Sequence, residues 1–195
     1  MPVRSLSRTL RVFSAQCLTS LGTIGTRVLL LARMHERLVQ RDLPESIHRV
    51  LFVCKGNVCR SPLASVYLAA KLEGIGVRIS VQSAGLDTTP GKPAHHLART
   101  TAQRHGLSLE KHATTLVTSA LVDQADVIIV MEYQQQYQLV SRHPDAARKA
   151  FHLRSFYDSN WTDIEDPYSG DQEDFEACYQ IITQACDKLL DSIKY

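Results

Sequence analysis

What this 195-residue chain lacks narrows its functions before any motif is considered. No stretch supplies the ~20 mostly apolar residues that a membrane span needs; the nearest candidate, between Val12 and Met34, is broken by Arg27 and by several Ser, Thr and Gly residues. No glycine-rich loop ends in Gly-Lys-Ser or Gly-Lys-Thr, which disfavours nucleoside triphosphate chemistry. Strong charge of one sign is missing too. The net charge is +2, and residues 48–195 carry fifteen basic against seventeen acidic side chains, so nucleic-acid binding is not supported. His95-His96 has no Cys or acidic partners at ligand spacing and reads as helix surface, so neither metal nor cofactor is implied. Cysteine is sparse and odd in number: Cys17, Cys54, Cys59, Cys178 and Cys186, with no secretory signal pattern, which points to a reducing cytoplasm rather than a disulfide scaffold. Repeats and low-complexity tracts are absent.

What is present concentrates in Val53-Cys54-Lys55-Gly56-Asn57-Val58-Cys59-Arg60-Ser61-Pro62. Arg49 to Val53 is a short apolar, β-branched run suited to a buried strand, and Ser61-Pro62 offers an N-cap followed by proline at the first helical position. The loop between must turn sharply. Gly56 and Asn57 tolerate left-handed backbone, so the N–H groups of Lys55, Gly56, Asn57, Val58, Cys59 and Arg60 can curl inward as an anion-binding nest backed by the helix dipole. Arg60 adds a planar, permanently charged fork for phosphoryl oxygens. Cys54 lies at the focus of that positive potential, where a thiolate is stabilised and nucleophilic at neutral pH. A structural cysteine would need none of these companions.

This segment resembles the signature Cys-x-Gly-Asn-x-Cys-Arg-Ser-Pro of the low-molecular-weight protein tyrosine phosphatases at every fixed position. The resemblance covers roughly residues 48 to 193. It continues through Ser83-Ala84-Gly85, Arg104-His105-Gly106 with His112, Val130-Met131-Glu132, Asp166-Pro167-Tyr168 and the helix Glu173-Asp174-Phe175-Glu176-Ala177. The Met-Glu pair and the Asp-Phe-Glu-Ala helix are most similar to the bacterial branch associated with exopolysaccharide export and its tyrosine autokinases. The resemblance implies a metal-free phosphotyrosine hydrolase that works through a cysteinyl-phosphate intermediate, with a phosphotyrosine protein, such as an autokinase tail, as partner.

Expelling a phenolate is helped by a positioned acid, and resolving the intermediate needs a base; one carboxyl group can serve both steps. By resemblance that group is Asp166. Between Ser155 and Glu176 there are eight acidic residues and no Lys or Arg, and Asp163 and Glu165 favour the protonated form for the first step. Asp-Pro-Tyr taken alone is also an ordinary turn. The resemblance further implies that Asn57 holds the strained loop, with Ser83 and His112 as partners. Ser61 would donate to the Cys54 thiolate, Tyr168 would stack on the substrate ring, and Leu86 would fall near the opposite wall. A turn serine and a satisfied core histidine explain Ser83 and His112 almost as well. No aromatic occurs between Ser83 and Ala94, and Ser169 stands where many members carry a second tyrosine. Ser169-Gly170-Asp171-Gln172 fits a capping box. Cys59, five residues from Cys54, could capture an oxidised Cys54 as a reversible disulfide, and it equally fits as a small residue packing the loop base. Cys178 and Cys186 fall on a three-four apolar spacing and read as core.

Two other classes stay in view. A thiol-dependent arsenate reductase shares such a loop but needs redox cysteines on a mobile segment, and the later cysteines here lie in a periodic helix. A non-enzymatic phosphotyrosine-binding adaptor would be free to lose Cys54 or Asp166, and neither is lost.

The pattern predicts strands over 50–53, 77–82, 126–131 and 150–153, and helices over 62–73, 93–105, 133–141 and 171–193. That alternation describes an α/β fold: a doubly wound, four-stranded parallel sheet with helices on both faces and the catalytic loop after the first strand. Residues 48–195 form the phosphatase domain of this reading. Residues 1–47 form a basic N-terminal extension, helical or disordered, with seven Arg and three acidic residues. Three readings of it stand: a start site misplaced ahead of Met34, a helix that either lies at a membrane interface or binds a partner, or a transit-like leader.

Overall fold

The computed structural model describes residues 42–158 and 163–194. The readings of the extension up to residue 41 lie outside the described residues. Four strands form one parallel sheet: β1 (Arg49–Cys54), β2 (Ser80–Gly85), β3 (Val127–Val130) and β4 (Ala150–His152). Their order is β2-β1-β3-β4. The helices are α1 (Arg60–Gly74), α2 (His96–Arg104), α3 (Ser119–Gln124), α4 (Tyr133–Arg142) and α5 (Gln172–Ser192), joined by short 3-10 turns.

Strand periodicity divides the core. Val50, Phe52 and Cys54 of β1, with Val127, Ile129 and Met131, pack on one face with Leu63 and Leu68 of α1 and Phe175, Ile182 and Leu189 of α5. Leu51 and Val53, with Ala84, Ile128 and Val130, pack on the other face with Val122 and Leu139. Because both faces are covered, the central strands read as unbroken apolar runs. The chain leaves β1 toward β2 on one side and later returns to β3 on the other. The carboxyl end of β1 is therefore a topological switch point, the usual crevice of an open α/β sheet. Leu43 and Ile47 pack against the same core, so the packed body takes in residues that the sequence pattern had left to the extension.

Several boundaries differ from the pattern for local reasons. The second strand begins at Ser80 rather than 77, because the Val77 N–H still closes α1 through the Leu72 carbonyl (3.0 Å) and pairing starts with Ser80 N–H on the His48 carbonyl (2.8 Å). It then runs to Gly85, opposite Cys54. Helix α3 escaped the periodicity because it is six residues long; its signal is Thr118, whose hydroxyl accepts from Leu121 N–H (3.2 Å). The capping box of the last helix is Asp171 with Asp174, not a box starting at Ser169, which ends a 3-10 turn. Ser61 does not cap α1 either. Cys59 holds the cap position without a side-chain bond, and Ser61 sits inside the first turn, where its hydroxyl is used elsewhere.

Candidate active site

The loop from Cys54 to Ser61 is built by what its backbone carbonyls do. Those of Cys54, Lys55, Val58 and Cys59 accept from the N–H groups of Leu86 (3.0 Å), Asp87 (2.9 Å), His95 (2.9 Å) and Leu63 (3.2 Å). The Asn57 carbonyl accepts from His112 Nε2 at 2.8 Å. In a planar trans peptide the N–H points opposite to the C=O. The amides of Lys55, Gly56, Val58, Cys59 and Arg60 therefore face away from these five partners, toward the pocket, and form a nest.

Asn57 holds the curl. It is the one described non-glycine residue with positive φ (55°), a conformation that Asn tolerates better than most residues. Its Nδ2 donates to Ser61 Oγ (3.0 Å) and Ser83 Oγ (2.9 Å), while its Oδ1 accepts from Thr115 N–H (2.9 Å). The side chain is fully buried, and these bonds satisfy it. A carbonyl can only accept, so neutral His112 must carry its proton on Nε2; burial lowers the tendency of this histidine to take a second one.

Cys54 Sγ is buried, with Ser61 Oγ at 3.0 Å and the Asn57 N–H donating to it at 3.2 Å. Arg60 is 1% exposed and the largest fully buried side chain among the described residues. An unpaired guanidinium there would be prohibitive. It is paired twice: Nη1 with Glu132 and the Ile164 carbonyl (2.8 Å), Nη2 with Asp166 Oδ2 (2.6 Å). Burial alone would lower the guanidinium pKa, but Asp166, Glu132 and Cys54 together carry it above its ordinary value. Nε makes no hydrogen bond.

The charge nearest Asp166 is thus Arg60 and not a neighbouring carboxylate. Glu165 is exposed, and Asp163 Oδ1 accepts from the Tyr133 N–H (2.7 Å). Asp166 forms an ion pair with Arg60, a contact that its acidic sequence neighbours do not reveal.

These groups open into a pocket of about 450 Å³ lined by Cys54, Lys55, Gly56, Val58, Cys59, Arg60, Asp166 and Tyr168 on one side and Asp87, Thr88, Thr89 and Lys92 on the other. Leu86 is no part of that opposite wall. It is buried in the core on the far face of the sheet, and the wall is the polar stretch after it. Buried Thr114 pins the wall: its hydroxyl accepts from Lys92 N–H (2.9 Å) and donates to the Thr89 carbonyl (2.7 Å).

Sequence reasoning assigned no role to Glu132, Thr115 or Thr114. Glu132 had a signal, a carboxylate two positions past the end of the all-apolar strand Val127–Val130. Main-chain donors such as Thr115 N–H have none. Cys59 is buried at the loop base, and burial, with Asp166 and Cys54, pushes its thiol pKa up. Cys178, also buried, is pushed up to about 12 by burial. Among the described residues no group of three His, Cys, Asp or Glu side chains is placed to hold a metal ion, and no helix is long and apolar enough to cross a membrane.

A thiol, a buried arginine and a ring of amides at the carboxyl end of a central parallel strand define a cysteine-dependent phosphate-handling site. The chain belongs to the low-molecular-weight phosphotyrosine protein phosphatase family, whose model matches residues 49–195. It is 34% identical over 148 residues, 76% of this chain and 97% of the relative, to a probable low-molecular-weight protein-tyrosine-phosphatase, EpsP, of Ralstonia nicotianae. A protein-arginine-phosphatase of Bacillus subtilis is 30% identical over 122 residues, 62% of this chain and 80% of the relative. The crystal structure of the Erwinia amylovora tyrosine phosphatase AmsI superimposes with a TM-score of 0.71 at 29% identity, covering 77% of this chain and 95% of that one.

Proposed function

We propose that this protein hydrolyses phosphotyrosine in proteins by two successive displacements at phosphorus. The observation that carries the reading is Cys54 Sγ inside the amide nest, with Arg60 and Asp166 converging on the same pocket. In the first step the Cys54 thiolate attacks phosphorus, the bond to the phenolic oxygen breaks, and Asp166 delivers a proton to that oxygen. In the second step water attacks phosphorus and gives its proton to Asp166. The P–S bond then breaks, and inorganic phosphate and the thiolate are released. Lys55, Gly56, Val58, Cys59 and Arg60 stabilise the transferring phosphoryl oxygens through their backbone amides, and Arg60 contributes its free Nε–H. Ser61 donates to Cys54 and eases its departure. Ser83 and His112 support the loop through Asn57. Tyr168 forms the aromatic wall.

The incoming phosphate dianion competes with Asp166 for Arg60. That competition would free the carboxyl group to take up its acid role once substrate is bound.

The partner we favour is a tyrosine-rich segment of a bacterial tyrosine autokinase of polysaccharide export, supported by the likeness of Met131-Glu132 and of the helix after Asp174 to that branch. The compartment we favour is the cytoplasm, because a mechanism that runs on a thiolate needs a reducing environment. Cys54→Ser should abolish turnover of a phosphotyrosine peptide while inorganic phosphate still binds. Metal-free turnover by that variant would remove Cys54 from the mechanism. Equal or faster turnover of a phosphoarginine peptide by the wild-type protein would overturn the tyrosine assignment.

A further inference from the structure

His95 belongs to the pair that the sequence pattern treats as plain helix surface, yet it is half-buried and engaged on every side. Its backbone N–H donates to the Val58 carbonyl of the nest at 2.9 Å. Its Nδ1 accepts from Leu97 N–H at 3.3 Å and so caps α2, which leaves the proton of the neutral ring on Nε2. The ring lies flat against Phe175 of α5, with centroids 5.0 Å apart and planes 12° apart, and meets the Tyr168 ring at 5.4 Å and 57°. The His96 ring lies beside it, tilted by 35° at a centroid distance of 4.5 Å.

Three otherwise separate pieces meet on this one residue: the phosphate nest through the backbone N–H to Val58, and the acid-bearing turn and α5 through the imidazole, against Tyr168 and Phe175. Tyr168 needs such a support. It is 59% exposed, and the 3-10 turn that carries it, Pro167–Ser169, is three residues long and cannot fix a ring by itself. Aromatic rings gain from tilted and offset contacts beyond the area they bury, so an imidazole already pressed on Phe175 makes a defined seat. Asp166 is tied to the same turn, its Oδ1 accepting from Tyr168 N–H at 3.3 Å.

The geometry points to His95 as the positioning residue of the aromatic wall: it seats Tyr168 beside the nest and so makes the site prefer phosphate esters of flat aromatic alcohols over phosphate itself. This inference rests on the reading of the pocket as an aryl-phosphate site, and it touches substrate only through Tyr168.

The probes are phenylphosphonate, which carries the ring, and inorganic phosphate, which does not. Their affinities are measured by calorimetry in the Cys54→Ser background, so the result does not depend on turnover. Two variants separate the ring from the cap. Asn is among the best N-cap residues, so His95→Asn keeps the cap and removes the ring; His95→Phe keeps a ring and loses the cap. His95→Asn should weaken phenylphosphonate about fivefold, a change of the size ring contacts give, with inorganic phosphate unchanged and the melting temperature held. His95→Phe should restore the phenylphosphonate preference while melting lower. Combined with Tyr168→Ala, His95→Asn should add no further loss.

An unchanged preference in His95→Asn would overturn the proposal. So would parallel weakening of both probes, or losses that add in the double variant. Failure of the wild-type protein to hydrolyse phosphotyrosine would instead count against the proposed function and leave this binding ratio to be judged on its own.

Discussion

Asp166 Oδ2 lies 2.6 Å from Arg60 Nη2, so the carboxyl group assigned to proton transfer and the guanidinium assigned to the phosphate hold each other directly. Asp166 is about one-third exposed and Arg60 is not, which makes Asp166 the partner able to let go.

This pairing gives the Asp166→Asn variant an unusual signature. Turnover of a phosphotyrosine peptide should fall about 10²- to 10⁴-fold, the usual contribution of a general acid. Affinity for inorganic phosphate should stay level or rise, because a negative competitor for Arg60 has gone. Steady-state kinetics with phosphate as competitive inhibitor reads both; a parallel loss in the two would place the acid elsewhere.

Asn57 carries two separable burdens, a left-handed backbone and three side-chain hydrogen bonds to Ser61, Ser83 and Thr115. Asn57→Gly keeps the first and loses the second, whereas Asn57→Ala loses both. Losing the bonds leaves buried partners unsatisfied, and a left-handed alanine adds strain, for a total of about 2–4 kcal/mol in Asn57→Ala. Denaturant midpoints should rank Asn above Gly above Ala. Equal stability of the Gly and Ala variants would mean that the backbone conformation costs nothing here.

Gly85 faces the back of the nest. A Cβ on it would stand 2.9 Å from the Lys55 carbonyl oxygen and 3.0 Å from the Gly56 carbonyl carbon, both main-chain atoms that cannot swing aside. Gly85→Ala should therefore shift the amides of Lys55 and Gly56 and weaken phosphate binding about tenfold, in keeping with the 1–3 kcal/mol of a typical overpacking. Unaltered phosphate affinity would show that the loop can retreat at no cost.

The catalytic loop was legible because its chemistry is local: a strand, a Gly-Asn turn and an arginine lie within twelve residues, Arg49 to Arg60. The central strands β1 and β3 were legible because strands covered on both faces have no polar alternation to confuse them. What escaped is non-local or main-chain. Nothing in Glu132 alone says that it pairs with an arginine 72 positions earlier, and nothing in Thr114 says that its hydroxyl pins residues 89 and 92. Leu86 was misplaced by one residue, because at the end of a strand one step reverses the direction of the side chain from pocket to core. His95 was misread because its neighbours in space, Tyr168 and Phe175, lie more than seventy positions away.

Cys59 sits beneath the nucleophile, and its buried thiol resists ionisation. Hydrogen peroxide should convert the Cys54 thiolate to a sulfenic acid, and attack by the Cys59 sulfur should then form a disulfide and release water. After peroxide treatment, a thiol reductant should recover most wild-type activity and much less in Cys59→Ala. Equal recovery in both would leave Cys59 only its packing role.

The two histidines around the nest set the acid side of stability. Burial lowers the pKa of His112, against the pull of the Asn57 carbonyl, and burial followed by its neighbour His96 lowers that of His95. An unfolded histidine takes up its proton near pH 6.5, whereas these two remain neutral in the fold to lower pH. Over that window the unfolded chain binds more protons, so stability falls as pH falls. The contribution is fully present above pH 6.5 and is lost through the range just below it, before the carboxylates titrate. The melting temperature should therefore drop between pH 7.5 and pH 5.5. In His112→Gln, whose side-chain N–H still reaches toward the Asn57 carbonyl but cannot ionise, the drop should be smaller. A slope with pH that is the same in the variant and the wild type would mean that His112 ionises in the folded protein as freely as in the unfolded chain.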